Sequence, residues 1–263
     1  MTQDIGTAVQ RFRDFPNLSG VIYTVGNEQN HHFKVLFKIL KKLGYDWSSN
    51  CHHLSYGMVE LPEGKMKSRE GTVVDADDLV SSVVQEAKLL TNERGHLEGM
   101  DDIQINNLCA KIGKAGLKYF LLKVDPKKNM TFDPKESIDL NGHTGPYIQY
   151  GFARIKSLLQ KADLKNTFST ESFELSEKEL EVIKVICDFP ETLLISAREF
   201  SPSILANYLF NLVRSYNSFY QDSPVLKEEN KDLKLFRIQL SDLTSRILEK
   251  GMNILGVEMP ERM

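Results

Sequence analysis

The sequence predicts an α/β region of about 145 residues followed by an all-α region. In the first ninety residues, short β-branched runs alternate with segments that repeat apolar residues at helical spacing, as in parallel sheets. After Gly145 the pattern is almost wholly helical, and the polar segment 125–145 is rich in Pro, Asn and Gly. We therefore predict one domain over residues 1–145 and a helical bundle over residues 146–263.

The composition is that of a globular protein of the cytoplasm. Apolar residues make up 41% and charged residues 26%, which excludes disorder as the class. The net charge of -3 argues against nucleic-acid binding through a bulk positive potential, so RNA contacts would need local patches. The cysteines Cys51, Cys109 and Cys187 lack C-x-x-C spacing, and no apolar run approaches the roughly 20 residues of a membrane span.

The first region contains two predicted strands and two predicted helices. Residues 20–26 form a β-branched and aromatic run closed by glycine, which predicts a strand. The next segment carries four apolar residues at helical spacing, Phe33, Leu36, Phe37 and Leu40. A second apolar stretch, residues 53–59, predicts another strand, and a helix is expected over about 77–90.

The later helices are predicted from their end signals. Residues 101–120 have helical spacing, although Gly113 and Gly116 interrupt it. Ser176 and Glu179 have the capping-box spacing that starts a helix. Pro202 can open another helix, and a third is expected over 232–250 with Gly251 as its C-terminal cap.

The segment from Gly64 to Gly71 is the most informative for chemistry. Lys65, Lys67 and Arg69 place three cations within five residues, bracketed by glycines and following a strand. Such a loop can close over a polyphosphate and offset the charge that develops as pyrophosphate leaves. Composition alone leaves open a solvated surface loop. A P-loop is excluded, because no glycine precedes this Gly-Lys pair at the required spacing.

The loop Lys65-Met66-Lys67-Ser68-Arg69 resembles the KMSKS loop of class I aminoacyl-tRNA synthetases, and residues 70–74 resemble its arginyl branch. The resemblance implies that Lys65 and Lys67 are catalytic and that Lys65, Met66, Lys67 and Ser68 bind ATP. The third position departs from the family pattern, since serine is usual where Lys67 stands. The fourth position, usually lysine, is Ser68.

A second match lies at residues 25–33, Val-Gly-Asn-Glu-Gln-Asn-His-His-Phe. It is similar to the family segment at the end of a Rossmann strand, where ligands bind outside the strand ends. The resemblance implies that Gln29 binds arginine and that His32 and Val59 line the ATP site. The histidine pairs 31–32 and 52–53 raise a metal site as an alternative. Neighbouring residues point apart and no carboxylate completes a ligand set, so we predict no bound metal.

Residues 2–6 resemble the family element whose aspartate, here Asp4, faces the guanidinium of the arginine substrate. A carboxylate suits this role because it accepts the planar fork of donors in a bidentate pair. The residues alone fit a turn or cap aspartate equally well. This segment also reads as the interior of an element, so we expect the sequence to be the C-terminal portion of a longer protein.

Residues 141–155 and 251–263 resemble the start and end of the arginyl family's helical anticodon-binding domain. Tyr147 and Tyr150 lie three apart on one helical face, where they can stack on an unpaired base or pack in a core. The resemblance implies that Met263 and Tyr147, with a tyrosine of the 216–220 helix, here Tyr216, hold a base of the anticodon. The lysines of residues 111–128 can meet tRNA phosphates or form a solvated helix face.

The resemblance as a whole implies the C-terminal part of a Rossmann-like nucleotide-binding domain followed by an anticodon-binding bundle. It implies a ligase that joins arginine to tRNA(Arg) with ATP, that receives Mg²⁺ with ATP, and that is monomeric at full length. The family's H-x-G-H motif occurs nowhere in these 263 residues, so we predict that they are inactive alone. The alternative is a noncatalytic tRNA-binding module.

Overall fold

The structure, a computed structural model, describes residues 1–62, 75–94, 99–162 and 173–263, and of residues 92–94 the backbone alone. Within these ranges the helices are α1 (Thr2–Asp14), α2 (Asn30–Lys42), α3 (Ala76–Arg94), α4 (Asp102–Leu122), α5 (Pro134–Ser137), α6 (Gly145–Gln160), α7 (Glu177–Cys187), α8 (Phe189–Arg198), α9 (Pro202–Asp222) and α10 (Lys231–Ile254). The strands are β1 (Val21–Gly26), β2 (Cys51–Tyr56), β3 (Val59–Glu60) and β4 (Met130–Thr131). No described helix is both long and apolar enough to cross a membrane.

The chain forms two compact units. Unit 1 contains Met1–Glu60 and Asp125–Thr131, and unit 2 contains Leu61–Val124 and Phe132–Met263. Unit 1 holds all of the described strands and unit 2 is helical, which confirms the predicted combination of α/β and all-α structure. The helices α3, α4 and α5 belong to unit 2, although they precede residue 145.

Unit 1 is built on a parallel pair of strands. Strands β1 and β2 pair in register from Val21 opposite Cys51 to Gly26 opposite Tyr56, so their carboxyl ends lie at the same edge. Helix α2 buries Phe33, Leu36 and Leu40 in a core that also includes Ala8 of α1. These apolar residues are three or four apart, as a helix with one buried face requires. The predicted strand over 20–26 and the helix after it are both confirmed.

The second predicted strand, over residues 53–59, is interrupted at Gly57. Strand β2 ends at Tyr56, and β3 starts a separate parallel pair with β4. The Gly57 amide donates to the Pro126 carbonyl at 2.7 Å, and an ideal Cβ at Gly57 would lie only 2.2 Å from the Lys128 carbonyl oxygen. A side chain cannot occupy that space, so the break requires glycine at this position.

In unit 2, the two glycines of α4 allow close packing. An ideal Cβ at Gly113 would lie 2.8 Å from the Val83 carbonyl oxygen of α3, and one at Gly116 would lie 2.9 Å from the Ser137 carbonyl oxygen of α5. The residues that weakened the helical pattern are therefore points where neighbouring backbones pack closely against α4. Helix α4 starts as predicted, at an Asp101 capping box with Gln104.

The remaining helices pack around a core of fully buried side chains, among them Ile148, Phe152, Leu209, Val213 and Leu248. Two predicted starts are confirmed: Ser176 and Glu179 form a capping box at α7, and Pro202 lies in the first turn of α9.

The prediction for Gly251 is wrong, because this residue lies inside α10. An ideal Cβ there would be 2.5 Å from Leu209 Cδ2, so the glycine admits the Leu209 side chain against the helix. Helix α10 continues to Ile254, and the residue with the left-handed backbone that ends it is Gly256, with φ of 72°.

Candidate functional site

Two of the predicted substrate residues, Asp4 and His32, meet in unit 1. His32 Nε2 lies 3.2 Å from Asp4 Oδ2, and the Met1 ammonium lies 2.9 Å from the same oxygen. The hydrogen bond from the ammonium, together with the charge of Met1 and the neighbouring His32, holds the pKa of the Asp4 carboxyl below its ordinary value of 3.8. The half-exposed carboxylate is therefore ionised at neutral pH and is placed to contact cations.

Gln29 lies beside the end of β1. A short 3-10 turn, Asn27–Gln29, leads from β1 into α2, and the Gln29 side chain is exposed. This is the edge outside the carboxyl ends of parallel strands, where α/β folds bind ligands. Val59, the other residue predicted in this unit, is half-buried in β3 and pairs with Met130.

One histidine from each of the two adjacent pairs, His32 and His53, has a different role. His53 Nε2 lies 3.1 Å from the Val25 carbonyl oxygen, and its ring stacks on Phe33 with centroids 4.3 Å apart. His53 therefore supports the packing of α2 on the sheet, while His32 contacts Asp4. Across the described ranges, no three His, Cys, Asp or Glu residues are close enough to hold a metal ion.

The predicted catalytic loop cannot be placed in the same way. Lys65, Met66, Lys67 and Ser68 lie outside the described residues. Their roles as catalytic and ATP-binding residues remain predictions from the resemblance of the loop.

Unit 2 contains a cavity of about 320 Å³ between α6, the end of α9 and the C-terminal residues. Its lining includes aromatic, charged and apolar side chains, among them Tyr150, Arg154, Tyr220, Glu261, Arg262 and Met263. The structure thus brings together two of the predicted RNA-contacting residues, Tyr150 and Met263. A concave site with aromatic surfaces and a few polar groups is suited to a planar ligand.

Arg154 organises this cavity. Its guanidinium carbon lies 4.9 Å from the centre of the Tyr150 ring and 5.8 Å from that of Tyr220. Arg154 Nη1 donates to Asn217 Oδ1 at 3.3 Å, and Asn217 Nδ2 donates to the Tyr147 hydroxyl at 3.0 Å. One arginine and one asparagine therefore connect Tyr147 to the two tyrosines that line the cavity.

Tyr147 and Tyr216 are less accessible than the sequence suggested. Tyr147 is half-buried, with its ring centre 5.3 Å from that of Phe210. Tyr216 is 0% exposed, and its hydroxyl donates to Ser241 Oγ at 2.9 Å. Tyr216 therefore presents no surface to a base, whereas Tyr220, one helical turn later, lines the cavity.

Sequence reasoning missed Arg154 and Asn217. Arg154 follows Tyr150 by four residues within the matched block 141–155, and that spacing places a cation beside an aromatic ring on a helix. This signal could have identified it. Nothing in the sequence marks Asn217, because its role depends on the packing of α6 against α9.

The segment Gly142-His143-Thr144-Gly145 starts helix α6. Thr144 Oγ1 accepts from the Tyr147 amide at 3.2 Å, as an N-cap does. The Tyr119 hydroxyl donates its proton to the Ala206 carbonyl at 2.8 Å, so His143 Nε2 must donate in its 2.9 Å contact with that hydroxyl. Both side chains are therefore engaged in holding helices together.

Comparisons with known proteins identify the class and then the family. A parallel α/β unit with Gln29 just after the end of β1 and Asp4 against His32, accompanied by a helical unit with an aromatic cavity, fits a class I aminoacyl-tRNA synthetase. A sequence model of "tRNA synthetases class I (R), catalytic domain" matches residues 1–133, half of the chain. A model of the "DALR anticodon binding domain" matches residues 148–263. The chain belongs to the arginyl branch of the class I synthetases.

Individual relatives agree with this assignment. The chain is 53% identical over 263 residues to an arginine–tRNA ligase of Flavobacterium psychrophilum and 52% identical over 267 residues to one of Bacteroides fragilis. All of the chain is covered, but only 44% and 45% of these relatives. The arginyl-tRNA synthetase of Thermus thermophilus has a similar structure, with a TM-score of 0.86 and 27% identity over 94% of the chain and 42% of that protein. The chain therefore spans less than half the length of the curated relatives it matches.

Proposed function

We propose that the chain is the C-terminal part of an arginine–tRNA ligase, which activates arginine with ATP, releases pyrophosphate and passes the arginyl group to tRNA(Arg). The observation that carries the proposal is the cavity in which Arg154 lies between Tyr150 and Tyr220, beside Met263. We place the full-length protein in the cytoplasm as a monomer. The division at residue 145 is part of the proposal, and the two family matches, which end at 133 and start at 148, support it.

Unit 1 supplies the contacts to arginine and ATP in this proposal. The Asp4 carboxylate accepts the substrate guanidinium, a role supported by its half-exposed position beside His32. Gln29 binds the rest of arginine, and His32 and Val59 line the ATP site. Lys65 and Lys67 offset charge on the phosphates, and Met66 and Ser68 complete the loop. Mg²⁺ arrives with ATP and neutralises part of the phosphate charge.

Unit 2 supplies the contact to tRNA. An unpaired base stacks on the tyrosines of the cavity, since every base presents a π-face to an aromatic ring. Tyr150 and Met263 contact the base, and Tyr147 holds Asn217 and through it Arg154. Tyr220 takes the role predicted for Tyr216, because Tyr220 lines the cavity and Tyr216 lies in the core.

These 263 residues alone are expected to show no arginine-dependent exchange of pyrophosphate into ATP. Because the H-x-G-H motif is absent, part of the preorganised contacts to the transition state is missing. The measurement compares the chain with the full-length protein, which should be active. Turnover by the chain alone contradicts the prediction. Inactivity of the full-length protein together with tight tRNA binding would favour the noncatalytic RNA-binding module instead.

In the full-length protein, Asp4→Asn is expected to raise the KM for arginine about 10- to 100-fold, because a neutral amide cannot form the charge-assisted pair with the guanidinium. The affinity for tRNA should stay unchanged. Asp14→Asn is the matched control, since Asp14 is an exposed aspartate on the same helix. Equal KM values for the two variants would show that Asp4 does not bind the substrate.

A further inference from the structure

The C-terminal residues 255–263, called the tail below, are irregular but tightly held. The chain leaves α10 through the left-handed Gly256 and continues without helix or strand. Val257 and Pro260 are nevertheless buried against the helices of unit 2. Buried irregular backbone needs hydrogen-bond partners from outside its own segment. The side chains that provide these partners therefore determine where the tail lies.

Two side chains bind backbone carbonyls of the tail. Lys118 Nζ donates to the Gly256 carbonyl at 2.5 Å, and Gln149 Nε2 donates to the Glu258 carbonyl at 2.7 Å. Gln149 is 0% exposed, so its amide has no competing contact with bulk water. A third contact, between Lys111 Nζ and the Glu258 carboxylate at 3.2 Å, is exposed to solvent. Lys118 is exposed as well, but Lys118 and Gln149 bind the main chain of the tail, whereas Lys111 contacts only a side chain, so we take Lys118 and Gln149 as the anchors.

These contacts align the tail along α4. Gly256 meets Lys118, Glu258 meets Lys111, and Met263 packs against the cluster that includes Leu108. Residue numbers rise along the tail while they fall along α4, so the two segments run antiparallel. Lys111 and Lys118 are seven residues apart, which places them on one face of the helix. Helix α4 is therefore the surface on which the tail is ordered.

The same tail forms one wall of the cavity. Arg262 and Met263 lie at its end and line the cavity together with Tyr150 and Arg154. A tail released from α4 would leave this wall without a fixed position. The affinity of the cavity for a planar ligand would then fall, because binding would have to order the tail.

We propose that Lys118 and Gln149 are positioning residues for the base-binding cavity, which they serve by fixing the tail that carries Met263. This inference rests on the proposed function for its ligand. The anchoring of the tail is a property of the protein without RNA, so it can be tested without that ligand. Helix α4 lies outside the region matched by the anticodon-binding model, so the cavity depends on residues beyond that domain.

The first test measures amide hydrogen exchange of residues 255–263 in the full-length protein without RNA. Lys118→Met is expected to speed exchange in the tail about fivefold, as the loss of one hydrogen bond that holds a locally opening segment would. Gln149→Met should do the same. Lys114→Met is the matched control, because Lys114 is exposed on the same helix and the described residues show no hydrogen bond or ion pair for it. Unchanged exchange in both anchor variants overturns the inference.

The second test is a cycle of affinities for a tRNA(Arg) transcript. Lys118→Met is expected to raise Kd about fivefold when Met263 is present and less than twofold when Met263 is deleted. A fivefold loss in both backgrounds would mean that Lys118 contacts RNA directly, and would overturn the inference. Failure of the wild-type protein to bind the transcript would overturn the proposed function, and the exchange measurement would still decide whether the tail is anchored.

Discussion

Replacing Arg237 by methionine is expected to lower the free energy of unfolding of unit 2 by about 3–5 kcal/mol. Arg237 Nε lies 2.6 Å from Glu179 Oε1, and Nη1 lies 2.6 Å from Glu228 Oε2 and 3.2 Å from the Pro224 carbonyl oxygen. The Glu179 side chain is 0% exposed. Removal of the arginine would therefore leave a buried carboxylate without its cation, which is the costly way to break such a pair.

Chemical denaturation of the full-length protein, followed by the signal of unit 2, measures this effect. Arg246→Met is the control: Arg246 lies on the same helix, pairs with Asp242 and is 72% exposed. Exposed pairs at this spacing contribute roughly 0.3–0.5 kcal/mol, so the control should be nearly neutral. Similar losses of unfolding free energy in Arg237→Met and Arg246→Met would show that burial of the ion pair does not determine its contribution.

A second variant keeps the prediction testable if Arg237→Met does not fold. Glu179→Gln removes the buried charge. The oxygen of the new side-chain amide can still accept a hydrogen bond from the Ser176 backbone amide, which donates to Glu179 Oε2 at 2.7 Å in the wild type. Adding Arg237→Met to this background should cost at least 1 kcal/mol less than in the wild type, since neighbouring members of one network are not additive. Additive costs would show that the arginine acts through packing instead.

Local signals allowed most of the helices to be predicted from the sequence. The capping box of α7 is an example, because Ser176 and Glu179 are three residues apart and both contacts form within one turn. The second contact of Glu179, to Arg237, joins residues 58 apart and leaves no local signal. The same carboxylate was thus predictable as a cap and unpredictable as a member of a buried network.

The choice between Tyr216 and Tyr220 shows a similar limit. The two residues are four apart on α9, so the helical period places them on nearly the same face. Their ring centres are 6.2 Å apart, yet only Tyr220 lines the cavity, because Ser241 of α10 covers the Tyr216 hydroxyl. Which of two such residues is accessible depends on the neighbouring helix. Periodicity within one helix does not contain that information.

The packing also shows what the lysines in and directly after α4 contact. The sequence offered tRNA phosphates or solvent as their partners. Lys111 and Lys118 instead contact the tail, and Lys123 Nζ donates to the His143 carbonyl at 2.9 Å while lying 4.0 Å from the centre of the Phe120 ring. Burial lowers the pKa of Lys123, although Glu136 opposes that shift. Charge runs in a sequence do not show which of their members are used inside the fold.

Arg154→Leu is expected to weaken the binding of tRNA(Arg) to the full-length protein about 10- to 100-fold. The guanidinium lies 4.9 Å from the Tyr150 ring centre and 5.8 Å from that of Tyr220, and it holds Asn217. Its loss would leave the Tyr150 and Tyr220 rings, which we propose stack on the base, without the cation that contacts both of them. Stacking on such rings contributes about 1–3 kcal/mol per base. Filter binding at fixed salt measures the change.

Arg214→Leu is the matched control for Arg154→Leu. Arg214 is exposed on α9, and within the described ranges no hydrogen bond or ion pair involves its side chain, so its loss changes the net charge equally. Arg214→Leu should change Kd for tRNA(Arg) less than threefold unless the Arg214 side chain contacts a tRNA phosphate.

The salt dependence of Kd separates loss of a phosphate contact from loss of a stacking site, because a lost phosphate contact lowers the slope of log Kd against log salt by about one. Arg154→Leu should leave that slope unchanged, since its guanidinium acts on aromatic rings inside the cavity. If Arg154→Leu reduced the slope, or bound tRNA(Arg) with the same affinity as Arg214→Leu, the cavity would not be where the base binds.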